Sequence, residues 1–394
     1  MKLDEIQQAL KEAGLDGWLF YDFHNRDQIA ARILSIDRAR FASRRWFYFI
    51  PAEGAPQKLV HRIEPWRLDH LPGDKRVYLP WQQQHALLRE SLGSAKKVAM
   101  QYSPNNAIPY VSIVDAGTVE LVESFGVEVV SSANLVSRFE SYLSDDDKKS
   151  HFEAGEIMQF VKDETFREIG RRIKNGERPK EFEIQSFMHD LMRERGMHWD
   201  DGPIVAINEH AADPHFEPTP ENSFEMKEGD LVLLDLWAKK AQPGAIYYDI
   251  TWMGFIGKEV PARIEEIFQI AAKARDAAHQ FVASRFESKT PVHGWEVDDV
   301  CRKVIDDAGY GEYFTHRTGH NIGEEVHGNG THIDNLETKD EREIIPGSCF
   351  SIEPGIYMEE EKIGFRTEID VFVTPEGKVE VSGAVQRQVV AILA

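Results

Sequence analysis

Residues 228–252 read EGDLVLLDLWAKKAQPGAIYYDITW. Two apolar, strand-like runs flank Pro243-Gly244, a natural turn tip, and together they spell a hairpin. Asp235 interrupts LVLLDLW, where an unpaired carboxylate is costly to bury. Asp249 stands on the returning strand. A second stretch echoes the first: PGSCFSIEPG (346–355) leads to GFRTEIDVFV (364–373). In each, a turn glycine precedes a strand and a carboxylate follows six residues later, Gly229 to Asp235 and Gly347 to Glu353. A second acid lies on the next strand, Asp249 fourteen residues after Asp235 and Glu368 fifteen after Glu353. A hairpin brings directly opposed positions to a Cβ separation of about 5 Å.

One such acid alone reads as an edge-strand carboxylate or half of a buried ion pair. Four in two matching hairpins read better as a cluster. Mutual repulsion would raise their pKa values, and two divalent cations would neutralise them. Carboxylates with one imidazole suit manganese, cobalt, iron or zinc.

The imidazole has a source between the hairpins. HRTGHNIGEEVHGNG (316–330) carries His316, His320 and His327. His316 and His320 are spaced for one helix face. The zinc-protease helix, however, needs glutamate after its first histidine, and Arg317 stands there. Gly319 and Gly323 would each weaken a helix by about 1 kcal/mol. The segment therefore reads as strand or loop, with glycines where backbone approaches a ligand closely.

The rest of the chain sets bounds. Its 394 residues suggest two or three domains. No apolar run is long enough for a membrane span, and the charged, amphipathic start MKLDEIQQALKEAG has no signal-peptide character. The two cysteines, Cys301 and Cys349, sit in apolar patterns and suit a reducing compartment. A cytoplasmic protein is expected. The net charge of −21 argues against nucleic acid and anionic membranes as partners.

Strand-like runs at 17–23, 45–52, 58–64, 76–80 and 97–103 alternate with helical patterns, which favours an α/β domain at the start. The polar break SDDDKKS (144–150) marks the candidate boundary, giving domains 1–145 and 146–394. Beyond it, four long helical patterns enclose the strand pairs, so the second domain reads α+β.

Asp…Asp on one hairpin, His-x-x-Gly-His-x-x-Gly-x-x-x-His, Ile-Glu-Pro-Gly and Arg-x-Glu, in that order, resemble the pita-bread metallopeptidases: methionine aminopeptidase, aminopeptidase P, prolidase and creatinase. The resemblance spans roughly residues 145–390. The two-domain layout is similar to the prolidase, aminopeptidase P and creatinase branch. The implied fold is a curved antiparallel sheet covered by helices, in pseudo-two-fold halves, preceded by a creatinase-type α/β domain. The resemblance implies two divalent metals, manganese first, with cobalt, zinc or iron as alternatives. Their ligands would be Asp235, Asp249, His320, Glu353 and Glu368. It implies attack by a hydroxide bridging the metals, with Glu353 as general acid/base. His316, His327 and His215 would face the substrate, and Arg366 would stand beside the last ligand. The activity implied is removal of an N-terminal residue at Xaa-Pro bonds, from dipeptides or longer peptides, by a homodimer.

Three departures accompany it. The segment between the aspartates is three residues longer than the usual spacing, which predicts a tip, Lys239 to Ala245, at the active-site rim. Gly328 follows His327 where the family usually has an acid, and Glu324 and Glu325 stand where apolar residues are commoner. These leave, as the alternative, a metal-dependent hydrolase or lyase of the same fold acting on a non-peptide substrate. The complete ligand set argues against metal-free creatinase chemistry and against a binding module that has lost catalysis.

Overall fold

A computed structural model describes residues 2–394, and the chain divides into two compact units, through Ser141 and from Tyr142. The first unit is built on β1 (Gly17–Asp22), β2 (Trp46–Pro51), β3 (Gln57–His61), β4 (Asp74–Tyr78), β5 (Lys97–Met100) and β6 (Glu128–Ser131). The sheet order is β4-β3-β2-β1-β5-β6. β1–β2 and β2–β3 are antiparallel, and the other pairs are parallel. Helices α1 (Leu3–Glu12), α2 (Gln28–Ile33), α3 (Trp81–Leu92), α4 (Ala116–Glu123) and α5 (Ala133–Phe139) connect and flank it. β1 is buried along its whole length because both faces are covered. Trp18 and Phe20 enter one core, Leu19 and Tyr21 the other. The alternating α/β reading describes this unit. The strand at 128–131 was not read from the sequence, being only four residues long.

The second unit opens with α6 (Asp145–Lys174). The acidic run that reads as a break is its capped start: Ser144 Oγ accepts from the Asp147 N–H, and Asp147 answers to the Ser144 N–H. α7 (Glu181–Glu194), β7 (Met197–His198) and β8 (Ile204–Ile207) follow. Then come the hairpin strands β9 (Leu231–Lys240) and β10 (Tyr248–Phe255). α8 (Ala262–Glu287) and α9 (Gly294–Asp307) lead to the second strand set: β11 (Cys349–Ile352), β12 (Gly355–Met358), β13 (Ile363–Arg366), β14 (Ile369–Val373) and β15 (Val379–Ser382). A short β16 (Val390–Ala391) pairs in parallel with β10.

Side-chain alternation explains how each half faces the centre. On β9, Val232, Leu234, Leu236 and Ala238 point to the core that α6 and α7 cover. The odd-numbered face therefore carries Asp235, and on β10 it carries Asp249 and Thr251. In the other half, Ile369, Val371 and Val373 share a core with Phe268, Ala271 and Val282 of α8, which turns Glu368 and Asp370 the opposite way. Each hairpin thus gives one face to its own helix pair and its acids to the interior. This is the pita-bread arrangement, α+β with two similar halves.

Two details differ from the sequence reading. The aspartates are not directly opposed: Asp235 pairs with Thr251 and Asp249 with Trp237, so they are diagonal neighbours on one face. The extra residues before the turn lengthen a strand as well as its tip. Lys239 and Lys240 pair with β7, Lys240 Nζ reaches Glu153, and Lys239 Nζ donates to the carbonyl of Glu324.

β13 lies directly on the segment 208–212. A Cβ on Gly364 would sit 1.8 Å from the carbonyl oxygen of Ala211, where only backbone could yield. Gly364→Ala is expected to destabilise the protein by about 1–3 kcal/mol. Chemical denaturation of the purified variant measures this.

Candidate metal centre

The centre is assembled at a break in the second strand set. Ile352 pairs with Ile369 and Gly355 with Arg366, and the same register sets Glu353 opposite Glu368 in the gap. The gap is closed by other means. Glu353 N–H donates to Thr318 O (2.8 Å) and Glu368 N–H to Thr251 O (3.3 Å). Those two bonds tie the second hairpin to the histidine segment and to β10.

The histidine segment is non-helical, as its glycines suggested, running through isolated bridges and bends. Gly319 bridges to Ile333 and Asn321 to Phe350. The glycines serve close packing more than pliability. A Cβ on Gly319 would lie 2.0 Å from Ser351 O, and Gly328 and Gly330 crowd the Asn321 side chain. Asn321 then fixes the segment, donating to Cys349 O and accepting from the Gly330 N–H.

Asp249, His320 and Glu368 are buried, and one ligand-type atom from each lies within 4.8 Å of the others. His320 Nε2 is 3.3 Å from Glu353 Oε1 and 3.6 Å from Asp249 Oδ2. Asp235 meets the group through Arg366, whose Nη2 lies 2.5 Å from its Oδ2. The five side chains named from the sequence as ligands therefore come into one neighbourhood.

The electrostatics ask for a cation. Burial, then repulsion from Asp235 and Asp370, pushes the Asp249 carboxyl well above the usual carboxylate range. Burial, then Asp249, does the same to Glu368. Burial lifts Glu353 to about 7. His320 falls well below the imidazole range through burial and the neighbouring His327, so it is neutral. Its Nδ1 faces the Asn321 carbonyl at 3.3 Å, which leaves the Nε2 lone pair aimed at carboxylate oxygens. Asp249 Oδ1 and Glu368 Oε1 are buried without any hydrogen-bond partner. Acceptors facing acceptors, with orphaned oxygens, form a donor set that fits a divalent cation.

The other residues named from the sequence occupy different positions around this group. His327 stacks edge-on against His320, with ring centroids 4.3 Å apart, and stays exposed at the rim. Crowding by protein, then Arg317, lowers its pKa to about 4. His215 is exposed, and it lies close enough to His327 to influence that pKa. His316 is half-buried and has both nitrogens engaged, Nδ1 with Arg317 O and Nε2 with the Tyr357 hydroxyl, at 2.7 Å each. Through Nε2 it is tied to Tyr357. Arg366 is buried and fully engaged, donating to Asp235, to Tyr357 OH, to Thr251 Oγ1 and to the carbonyl of Pro214. It clamps both hairpins and the loop bearing His215.

Three neighbours escaped the sequence reading. Thr251 Oγ1 donates to Glu368 Oε2 (2.9 Å), and Asp370 Oδ2 accepts from the Asp249 N–H (2.8 Å). Strand alternation from Asp249 and from Glu368 points to both. Tyr357 had no such signal, because its role depends on a side chain 41 residues away.

Residues 153–375 match the model of metallopeptidase family M24, more than half of the chain. The protein belongs to that family. Among relatives, it is 36% identical over 180 residues to the probable dipeptidase PepE of Mycobacterium tuberculosis, covering 45% of this chain and 43% of that one. It is 34% identical over 161 residues to the Xaa-Pro dipeptidase of Lactobacillus delbrueckii subsp. lactis, covering 39% and 38% respectively. The matched region thus spans under half the length of these curated relatives. Similar solved structures extend over the whole chain. Dipeptidase PepE from Mycobacterium ulcerans has a TM-score of 0.72 at 23% identity, covering 99% of this chain and 97% of that one. A prolidase from Thermococcus sibiricus has a TM-score of 0.65 at 21% identity, covering 99% and 98%. These two likenesses establish the shared two-domain fold. Among the described residues no helix is long and apolar enough to cross a membrane.

Chelated protein should gain thermal stability when a divalent cation such as manganese is added, by about 2.7 kcal/mol at a hundredfold excess over Kd. His320→Ala should lose most of that gain, since it removes the one nitrogen donor of the candidate site. Metal analysis and melting curves on the two proteins decide it; equal metal content in the variant would refute the assignment.

Proposed function

We propose that the protein is a metal-dependent exopeptidase that removes an N-terminal residue, with Xaa-Pro bonds as its preferred target. The observation that carries this reading is the convergence of four carboxylates and one neutral imidazole, with orphaned buried oxygens, at the join of two matching hairpins. Membership of family M24 and the names of the relatives favour a peptide substrate. The proposed ligands are Asp235, Asp249, His320, Glu353 and Glu368, with a manganese pair as the first choice. Bound divalent ions at such a site lower the pKa of water and polarise a carbonyl.

The chain's own groups divide the remaining work. Ser351 Oγ donates to Glu353 Oε1 at 3.0 Å and orients that carboxyl. Its place among the proposed ligands suits it to take a proton from the attacking water and return it to the leaving nitrogen. His327, neutral and exposed at the rim, offers an N–H to the oxyanion of the tetrahedral intermediate. His316 and Arg366 act through Tyr357, holding its hydroxyl between imidazole and guanidinium. The Xaa-Pro bond is a tertiary amide with no N–H to recognise, so positioning rests on the substrate carbonyl and free amine.

A panel of Xaa-Pro dipeptides, longer Xaa-Pro peptides and matched Xaa-Ala peptides, assayed with manganese, cobalt and zinc after chelation, tests the proposal. Xaa-Pro peptides should be cleaved fastest; equal rates on Xaa-Ala, or no peptide cleavage, would overturn it. In the same assay His327→Ala should keep its metal content but lose roughly 10²–10³-fold in kcat. An unchanged kcat would leave His327 with a structural role alone.

A further inference from the structure

The first unit contains a cavity of about 580 Å³ that has no part in the centre described above. That volume is in the range of small-molecule sites. Its walls come from the ends of β1, β2, β3 and β4 and the start of α3, and all lining residues lie between Tyr21 and Asp115.

Three arginines line it: Arg26, Arg44 and Arg45. No guanidinium of the three forms an ion pair among the described residues, although the Arg26 N–H donates to Asp22 and the Arg44 N–H to Glu64. Arg44 Nη1 donates only to the carbonyl and hydroxyl of Ser43, and Arg26 lies over the Phe23 ring at 5.4 Å. Arg45 is half-buried, and its backbone carbonyl is held by the Tyr78 hydroxyl at 2.7 Å. The one acid in the wall is committed elsewhere: Asp115 caps α4 by accepting from the N–H and hydroxyl of Thr118, both at 2.9 Å.

Two histidines add donors. His61 Nδ1 accepts from the Ile63 N–H at 3.1 Å, which leaves the proton on Nε2. His24 lines the cavity with φ of 65°, followed by Asn25 at 56°, a strained pair of the kind that accumulates at ligand sites. Tyr21, Phe23 and Trp81 supply flat apolar walls. On a chain with net charge −21, a wall with three guanidiniums and one carboxylate is a local reversal of sign. Guanidinium forks match the oxygens of carboxylate and phosphate, and they stack on aromatic faces.

We infer that this cavity binds a small organic oxyanion, a phosphate monoester or a carboxylate, joined to a flat ring. The guanidiniums and imidazoles take the charged end, and the aromatic wall takes the ring.

Isothermal titration calorimetry on the metal-loaded 394-residue protein tests the inference with phenyl phosphate, benzoate and uncharged benzyl alcohol. Saturable binding of one or both anions at millimolar concentration or below is expected, with none for benzyl alcohol. The stronger anion identifies the headgroup. Arg45→Gln and Arg26→Gln should each weaken binding by about tenfold, the effect of removing a hydrogen bond to a charged group. Arg26 is exposed, so its variant serves if Arg45→Gln does not fold. The inference is overturned if neither anion binds, or if benzyl alcohol binds as well as the anions. It is also overturned if binding is unchanged in both variants and vanishes on chelation, which would place the anion on the metal centre.

Discussion

Five carboxyl groups, those of Asp235, Asp249, Glu353, Glu368 and Asp370, meet in the interior of the second unit with Arg366 as the guanidinium in direct contact. Such a group is costly in a low-dielectric interior, because each charge destabilises the others. Much of the surrounding structure is the means of holding it. Asp235 lies on a strand paired on both sides, to β8 and β10. Glu353 and Glu368 occupy a gap bridged by backbone bonds to neighbouring segments. Arg366 reaches four separate partners. The frame keeps the carboxyl groups facing one another, an arrangement that fits a divalent cation.

The same frame separates holding from reacting. Groups whose polar atoms are all engaged, such as His316 and Arg366, set positions. Free capacity remains on exposed His327 and on the buried, orphaned oxygens of Asp249 and Glu368. The lengthened first hairpin belongs to the frame as well. Its added residues pair with β7, and Lys239 holds the Glu324 carbonyl, three residues before His327. The insertion thus braces the segment that carries a proposed catalytic imidazole.

Much of this was legible in the sequence, and for a physical reason. Strand alternation and turn glycines are local signals, and an acid in LVLLDLW or CFSIEPG contradicts its apolar surroundings strongly enough to be noticed. Repetition of that contradiction in two hairpins, with histidines between, pointed to an acid cluster with an imidazole beside it, and the family resemblance then named five candidate ligands. The same alternation, carried one step further, would have yielded Thr251 and Asp370. It could not yield Tyr357, the diagonal offset of Asp235 and Asp249, or the engagement of both His316 nitrogens.

The boundary between the two kinds of knowledge follows interaction range. Residue types, their period along each strand and their order along the chain were set by the sequence alone, so element identities and candidate ligands could be read there. Which atoms end up free was decided only by the tertiary structure. A histidine has two nitrogens and an arginine five N–H groups, and whether those are consumed by neighbours depends on chain segments tens to hundreds of residues away. The pocket of Arg26, Arg44 and Arg45 is a second case. In the sequence these are three of 46 basic residues; only the fold reveals that, among the described residues, their guanidiniums form no ion pair.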